Sequence, residues 1–206
     1  MEIYSSEEQQ VDAIKQFWKD YGTSIIVGAV VGLGGLYGWN YYSEKQILSA
    51  EAASEQYQAI LAGNAQNTGF MTEAAAFSKD TSQVGYQAMM DLMLAKAAVD
   101  AGQLSEAETA LKQVIADKPD TGLVMIATLR LARIQAQQEQ LGMAIATLEQ
   151  VTDPAFAAQR DELKGDFLVR QGELDKARLA YQAAADVGGL TASPALQMKI
   201  DNLNKA

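Results

Sequence analysis

The sequence predicts an all-helical protein in which a single N-terminal transmembrane helix precedes a solenoid of paired helices. Three observations predict this fold class: a 23-residue segment without charge near the N-terminus, a unit that recurs after 37 and then 33 residues, and an alanine-rich composition with only 7% aromatic residues. Alanine stabilises helices, whereas strands favour aromatic and β-branched side chains. With 49% hydrophobic and 20% charged residues, the 206-residue chain can bury a core, so wholesale disorder is not expected.

We expect residues 1–20 to form a cytoplasmic amphipathic arm. The run Ser5-Ser6-Glu7-Glu8 has the pattern of a capping box, which satisfies the first free N–H groups of a helix. Apolar residues then follow at three- and four-residue spacing and give the helix one apolar face: Val11, Ile14, Phe17, Trp18 and Tyr21. This face could lie on the membrane surface or contact a partner, or the arm could only lead into the membrane; both interpretations stay open.

The segment Tyr21–Ser43 is expected to cross a membrane as a helix. Its 23 uncharged residues would span about 34 Å at about 1.5 Å per residue, against about 30 Å for a hydrocarbon core. Aromatic residues lie at both ends, as in membrane helices. One alternative is a buried core helix, which six glycines disfavour. The other is a cleaved signal peptide, which the acidic residues 1–20 and the bulky residues after the span disfavour.

The lysines that flank the span predict its orientation. Lys15 and Lys19 precede it, and only Lys45 follows closely. Positive charge next to a span favours the cytoplasmic side, whereas acidic residues count for little. We therefore expect the N-terminus to be cytoplasmic in a bacterial inner membrane, and residues 44–206 to form a periplasmic domain.

Small residues recur at four-residue spacing within the span. Gly28 and Gly32 form one such pattern, and Gly34 and Gly38 form a second. Glycines at this spacing allow membrane helices to approach closely, so these four residues are candidates for lateral packing. Such glycines also occur in spans that have no partner.

The second half of the chain contains a recurring helix-pair pattern. The sequence Leu-x-x-Ala ends at Ala107, Ala144 and Ala177, and a large residue follows four positions later in each unit. The small residues Ala95, Ala132 and Gly165 occupy the corresponding positions of the preceding helices. Tetratricopeptide repeats have a period of about 34 residues and two antiparallel helices per unit. Chance alignment in an alanine-rich chain is the alternative, and the matched flanks disfavour it. The pattern predicts a tetratricopeptide-like helix-pair solenoid.

Flanking segments complete the predicted repeat domain. Glu44–Gly63 and Phe70–Lys79 are expected to form a divergent first helix pair, joined by a turn at Gly63–Gly69. Ser193-Pro194 has the pattern of an N-cap followed by proline at the first helical position, which predicts a terminal capping helix that ends near Asn204.

A solenoid of this kind exposes a concave groove lined by the first helix of each unit. The repeat register predicts ten partner-binding residues there: Met89, Leu92, Lys96, Val99, Ile126, Leu129, Arg133, Glu162, Asp166 and Val169. A groove with apolar and charged residues suits a peptide or a partner helix. For Met89, Leu92, Ile126 and Leu129 the alternative is that they belong to the core.

Composition excludes several function classes. The chain has no histidine and no cysteine, so it cannot form thiolate or imidazole metal sites, serine–histidine triads or cysteine nucleophiles. The net charge of −10 would repel a phosphate backbone, so nucleic acid is not an expected partner. No cofactor is expected. An enzyme that uses carboxylates such as Asp161 and Glu162 stays an alternative, although this pair also fits a solvated helix surface.

Taken end to end, the chain resembles the ancillary SecYEG translocon subunit family (YfgM-like). The opening Met1-Glu2-Ile3-Tyr4, the arm ending in Phe17-Trp18, the span from Val27-Gly28 to Gly38-Trp39, the three repeat units and the ending Gln197–Leu203 carry this resemblance. The opening and the ending are the specific parts, because the repeats alone are shared by many proteins.

The resemblance implies a non-enzymatic, single-pass inner-membrane adaptor. Its partners would be the SecYEG translocon and a membrane-anchored periplasmic chaperone of the prolyl-isomerase type (PpiD-like). Such an adaptor would help to pass translocated, still unfolded proteins to periplasmic chaperones. The alternative function is a repeat scaffold of another cell-envelope assembly complex.

Overall fold

The computed structural model describes residues 7–63 and 69–205, with side chains described for 10–63 and 69–203. The predicted capping box at Ser5–Glu8 and the predicted turn at Gly63–Gly69 fall largely outside these residues. Helices make up 87% of the structure, and the described residues contain no strand. The all-helical prediction is therefore confirmed.

Ten α-helices and one short 3₁₀ helix follow one another along the described chain. They are α1 (Glu7–Gly63), α2 (Phe70–Asp80), α3 (Val84–Asp100), α4 (Leu104–Asp117), α5 (Thr121–Gln137), α6 (Leu141–Leu148), the 3₁₀ helix Pro154–Phe156, α7 (Ala157–Arg170), α8 (Leu174–Asp186), α9 (Gly189–Ala192) and α10 (Pro194–Lys205). The chain divides into two compact units, Met1–Glu51 and Ala52–Ala206.

The first unit consists of the greater part of α1, whose apolar side chains are exposed. Val31 and Leu33 are each 68% exposed, and Tyr37 is 78% exposed. An 18-residue window of this helix has a mean hydropathy of 1.4, and only 6% of it is buried within the protein. A core helix would bury such a surface, so the segment fits a membrane anchor. Its exact limits at Tyr21 and Ser43 stay predictions.

The second unit is a stack of helix pairs. The last turns of α1 pack with α2 and α3 around Ala53, Phe70 and Phe77. The next core joins α3, α4 and α5, another joins α5, α6 and α7, and the last joins α7, α8 and α10. Each core thus shares a helix with its neighbour, as in repeat proteins whose units contact only adjacent units.

The repeated residues lie in the cores of the helix pairs. Ala107, Ala144 and Ala177 are all 0% exposed, and the large residues that follow, Leu111, Leu148 and Tyr181, are 1%, 0% and 3% exposed. Each large residue comes sixteen positions after the small residue of the preceding helix, namely Ala95, Ala132 and Gly165. The packing predicted from the repeat is confirmed.

The third unit combines the largest of these residues with the smallest. A Cβ atom at position 165 would lie 2.3 Å from Cε1 of Tyr181 and 2.4 Å from its Cδ1. Real Cβ atoms do not approach ring carbons so closely, so only glycine fits where the tyrosine replaces leucine. Gly165 and Tyr181 therefore form one matched pair.

We expect Gly165→Ala to destabilise the repeat domain by about 1–3 kcal/mol, because the added methyl group overpacks the contact with Tyr181. In a Tyr181→Leu background the same change should be neutral or stabilising by up to about 1 kcal/mol, since alanine favours helix over glycine. Urea unfolding of the full chain in detergent micelles, followed by circular dichroism, measures both effects.

Gly142→Ala is the matched control, because a Cβ at position 142 would meet no atom within 4 Å. It should not destabilise the protein. An equal loss from Gly165→Ala with and without Tyr181 would show that the two residues are not coupled.

Candidate functional site

Five of the ten predicted groove residues lie on one continuous face of α3, α5 and α7. Lys96, Val99 and Arg133 line a cleft of about 330 Å³ between α3 and α5. Arg133 also lines the next cleft, of about 600 Å³, together with Glu162 and Asp166 of α7. We call these five residues the groove face.

The other five predicted residues lie elsewhere. Leu92 and Leu129 are only 8% and 2% exposed and belong to two successive cores, so their packing leaves no side-chain surface for a partner. Ile126 is partly buried against the first of these cores, and Met89 is also partly buried. Val169 is 36% exposed but lines neither cleft. For Leu92 and Leu129 the burial agrees with the core alternative.

The groove face is basic where α3 meets α5. Arg130, which the repeat register did not single out, joins Lys96 and Arg133 in the same cleft. Lys96 pairs with Asp100 at 2.6 Å, but neither arginine has a carboxylate within 4.0 Å among the side chains that the structure describes. Burial and the charge of Arg130 lower the pKa of Arg133, against the opposing effect of Asp166 and Glu162. Two guanidinium groups are thus free to bind acidic groups.

The α7 end of the groove face is closed by the terminal helix α10. Nζ of Lys199 lies 2.8 Å from Oε1 of Glu162 and 2.7 Å from Oδ1 of Asp166. The Ser193 hydroxyl donates to Oε1 of Glu162 at 2.9 Å, and the Tyr181 hydroxyl donates to Oδ1 of Asp166 at 2.8 Å. Both predicted carboxylates are therefore bound within the protein. Their shared partner Lys199 lies 37 residues after Glu162 and 33 residues after Asp166 along the chain.

These contacts shift two pKa values. Burial, and then the hydrogen bond and negative charge of Asp166, raise the pKa of the Tyr181 hydroxyl. Burial alone would lower the pKa of Lys199, but its hydrogen bonds to Asp166 and Glu162 raise it above the ordinary value. Lys199 therefore stays charged at neutral pH and holds α10 on α7. The predicted terminal helix is confirmed, and Pro194 is its first residue.

A larger cleft, of about 690 Å³, lies among α2, α3 and α4. Its most unusual residue is Asp91, which is only 3% exposed. Oγ of Ser78 donates to Oδ1 of Asp91 at 2.5 Å, whereas no described donor reaches the buried Oδ2. Burial raises the pKa of Asp91 to about 6; the Ser78 hydrogen bond opposes this shift and the charge of Asp117 adds to it. We call this site the Asp91 cleft.

Sequence reasoning missed Asp91, although a signal was present. It is the one charged residue in the apolar run from Ala88 to Ala95, and a carboxylate in such a run is rarely buried without a partner.

The two carboxylates considered as a catalytic pair are each bound by a cation. Among residues 7–63 and 69–205 no group of three or more acidic side chains is placed to hold a metal ion. Of the pair considered as catalytic, Asp161 bonds to Arg160 at 2.7 Å and Glu162 bonds to Lys199. Each carboxylate thus has its own cation, which is typical of structural ion pairs.

Comparison with known proteins gives full-length similarity. Residues 15–205 match the family model described as a tetratricopeptide repeat-like domain. The chain is 36% identical to the ancillary SecYEG translocon subunit of Escherichia coli (strain K12), covering 99% of this chain and 100% of that protein. It is 33% identical to the protein of the same name from Aggregatibacter actinomycetemcomitans, covering 96% and 97% of the two chains.

A solved structure supports the fold alone. The structure titled "MamA RS-1 ArsTM double mutant" superimposes with a TM-score of 0.53 at 18% identity, covering 76% of this chain and 95% of that chain. At this identity the likeness concerns the stack of helix pairs and carries no function.

We expect Asp91→Asn to remove a pH-dependent loss of stability. The folded pKa of about 6 exceeds the unfolded value of 3.8, so the folded state favours protonated Asp91. The stability that protonated Asp91 contributes to the folded state is fully present below about pH 4 and is lost as the pH rises through 6. Between pH 4 and pH 7 the free energy of unfolding of the variant should therefore rise relative to that of the wild type, by up to about 3 kcal/mol. Urea unfolding at each pH measures the difference.

Asp100→Asn is the matched control, since Asp100 lies on the same helix but its side chain is 63% exposed. Its stability profile should run parallel to that of the wild type. A parallel profile for Asp91→Asn as well would contradict the assignment.

We expect Lys199→Met to loosen α10 by about 1–2 kcal/mol, because it leaves two half-buried carboxylates without their cation. Amide hydrogen exchange should quicken in α10 before it quickens in α3 or α5, since local opening precedes global unfolding. Lys176→Met, which removes only an exposed pair with Glu173, should leave these rates within a factor of about two. Unchanged exchange in Lys199→Met would mean that apolar contacts alone hold α10.

Proposed function

We propose that this chain, which belongs to the family of ancillary SecYEG translocon subunits, is a non-enzymatic adaptor of the bacterial inner membrane. It associates with the translocon, binds a membrane-anchored periplasmic chaperone of the prolyl-isomerase type, and helps to pass translocated proteins to periplasmic chaperones. The observation that carries the proposal is the similarity over the whole chain to proteins of that name. The open groove face of the repeat domain supports it.

The anchor sets where such an adaptor works. In the proposal Tyr21–Ser43 crosses the membrane, residues 1–20 stay in the cytoplasm and residues 44–206 lie in the periplasm. The lysine bias across the span supports this orientation. A Cβ atom built at Gly28, Gly32, Gly34 or Gly38 would meet no atom within 4 Å. The pairs Gly28/Gly32 and Gly34/Gly38 lie on two different faces of the helix at about 100° per residue, and either face could pack against a helix of the translocon.

The groove face supplies the proposed chaperone site. Arg130 and Arg133 lie beside Val99 in the α3–α5 cleft, whose floor is formed by the buried Leu111 and Ile134. An apolar floor with unpaired guanidinium groups suits a partner segment that carries acidic and apolar side chains. The α7 end of the face contributes less, because Glu162 and Asp166 already bind Lys199.

A second function shares most of these features. A repeat scaffold of another cell-envelope assembly would have the same anchor and the same groove face, and partner identity alone separates the two. Direct contact with unfolded, translocating proteins is part of the first proposal only.

Site-specific photo-crosslinking in intact membranes tests the proposal. A photoreactive residue at Lys96, Val99 or Arg133 should capture the prolyl-isomerase-type chaperone, and one at Gly28 or Gly38 should capture a translocon subunit. Leu179, which is 72% exposed on α8, is the control position and should capture neither. Capture of a different envelope complex would favour the scaffold function, and a periplasmic reporter that stays inactive after Ala206 would reverse the orientation.

We expect Arg133→Gln to lower recovery of the chaperone about fivefold, the effect of losing about 1 kcal/mol of ionic contact. Co-purification in mild detergent at low salt measures it. Lys112→Gln removes the same charge from an exposed site on α4 and should leave recovery unchanged. Equal losses in both variants would indicate that the overall charge of the domain affects chaperone binding and that Arg133 makes no specific contact.

A further inference from the structure

The Asp91 cleft lies on a different face of α3 from the groove face. Gln87, Asp91 and Leu94 of α3 line it, and they are placed about 140–180° around the helix from Lys96 at about 100° per residue. Its other walls come from α2 and α4. A ligand in this cleft would leave the groove face open.

One carboxylate oxygen in this cleft is unsatisfied. Oδ2 of Asp91 is buried and accepts no hydrogen bond from any side chain or backbone group that the structure describes, while Oδ1 accepts from Ser78. A buried carboxylate oxygen without a partner is costly, and a cation that binds it offsets part of that cost. At the corresponding positions of the other two units, four residues before Ala132 and Gly165, the chain has Thr128 and Asp161. The Thr128 hydroxyl donates to the Val124 carbonyl and Asp161 binds Arg160, so of these three residues Asp91 alone has a buried oxygen without a described partner.

The walls of the cleft favour a cation with an apolar stem. Methyl and methylene groups of Met71, Ala75 and Leu94 form much of the wall. Negative charge exceeds positive charge around the cleft: Glu106 lines it and Asp117 lies near Asp91, against Lys79 on α2. Gln87 and Gln113 both donate to Asp117 at 2.9 Å, and Met71 and these glutamines are flexible enough to turn aside for a ligand.

We propose that the Asp91 cleft binds a lysine side chain of a partner protein. The ammonium group donates to Oδ2 of Asp91, and the four-carbon stem lies against Met71, Ala75 and Leu94. A single free oxygen suits the compact ammonium of lysine, whereas a guanidinium group presents a planar fork of five donors that this site cannot satisfy. Lysine stems commonly lie along apolar surface in this way. The site is independent of which partner occupies the groove face.

The test uses the full chain in detergent micelles with its methionine methyl groups labelled with ¹³C. The chain has eight methionines, so the spectrum is simple, and the Met71→Leu spectrum identifies the reporter signal of the cleft. The probes are Nα-acetyl-lysine methylamide and Nα-acetyl-norleucine methylamide, which share the carbon stem and differ in the ammonium group. The signal of Met143, which is 52% exposed on α6, reports non-specific effects.

The lysine probe should shift the Met71 signal saturably, and the norleucine probe should bind at least tenfold more weakly. Asp91→Asn should reduce lysine binding to the norleucine level, and Asp100→Asn should leave it unchanged. Lys79→Met should strengthen binding, because it removes the competing cation. Circular dichroism confirms that each variant is folded.

The pH dependence gives a second readout. Since burial raises the pKa of Asp91 to about 6, the carboxylate should lose its proton between pH 5 and pH 7, and lysine affinity should rise about tenfold over that range. Lys79, Glu106 and Asp117 are the other charged groups nearest the cleft. Asp91→Asn should abolish the rise.

Three outcomes would overturn the proposal: equal binding of the two probes, unchanged lysine binding in Asp91→Asn, or no saturable shift of Met71. Equal binding of the two probes would mean that the cleft recognises only the apolar stem. The second would place the ammonium on Glu106 or Asp117. The third would mean that Oδ2 is satisfied by a water molecule.

Discussion

The close approach of paired helices at a small residue is the contact on which the rest of the repeat domain depends. In each of three units a small residue and a large residue sixteen positions later are part of the helix pair's packing. Ala95 and Leu111 share one core, Ala132 and Leu148 share the next, and Gly165 lies directly against Tyr181. This contact sets how near two helices lie. Because it places one position of each helix against the other, it also fixes the rotation of each helix about its axis. The third unit shows that the rule concerns the summed volume of the pair, because tyrosine is accommodated where alanine is replaced by glycine.

Once that rotation is fixed, it determines where every other side chain on the first helix of a pair lies. On α3 the inward positions go to the core, Lys96 and Val99 face the α5 side, and Asp91 turns towards α2 and α4. The stack must then end, and it ends with α10, whose apolar residues Leu196 and Leu203 cover the last core. Lys199 of the same helix binds two carboxylates of α7, so the cap also offsets part of the negative charge that faces the last cleft.

Periodicity was sufficient to predict the fold and part of the site. The anchor, the helix pairs, the glycine at 165 and the terminal helix all follow from spacing and residue type, which are local properties. The sequence singled out only part of the groove face. The register tells which positions point between helices but not how deeply their side chains are buried, and Leu92 and Leu129 lie in the core. Arg130 was missed although it lies one turn before Arg133 on the same helix. The partners of Glu162 were missed for another reason: they depend on contacts between distant segments that no local pattern contains.

The two clefts beside α3 differ in the sign of their unsatisfied charge, which α5 supplies on the groove side and α3 itself supplies on the other. This difference bears on how a small repeat domain can bind more than one partner. Next to the groove, Arg130 and Arg133 lack carboxylate partners among the described side chains; in the cleft behind it, Asp91 has an oxygen without a donor. Unpaired charges of opposite sign would bind one another if packing allowed it, and the intervening helix prevents this. In the two proposals each charge binds an external group, and partners of opposite charge can bind together without competing for the same surface.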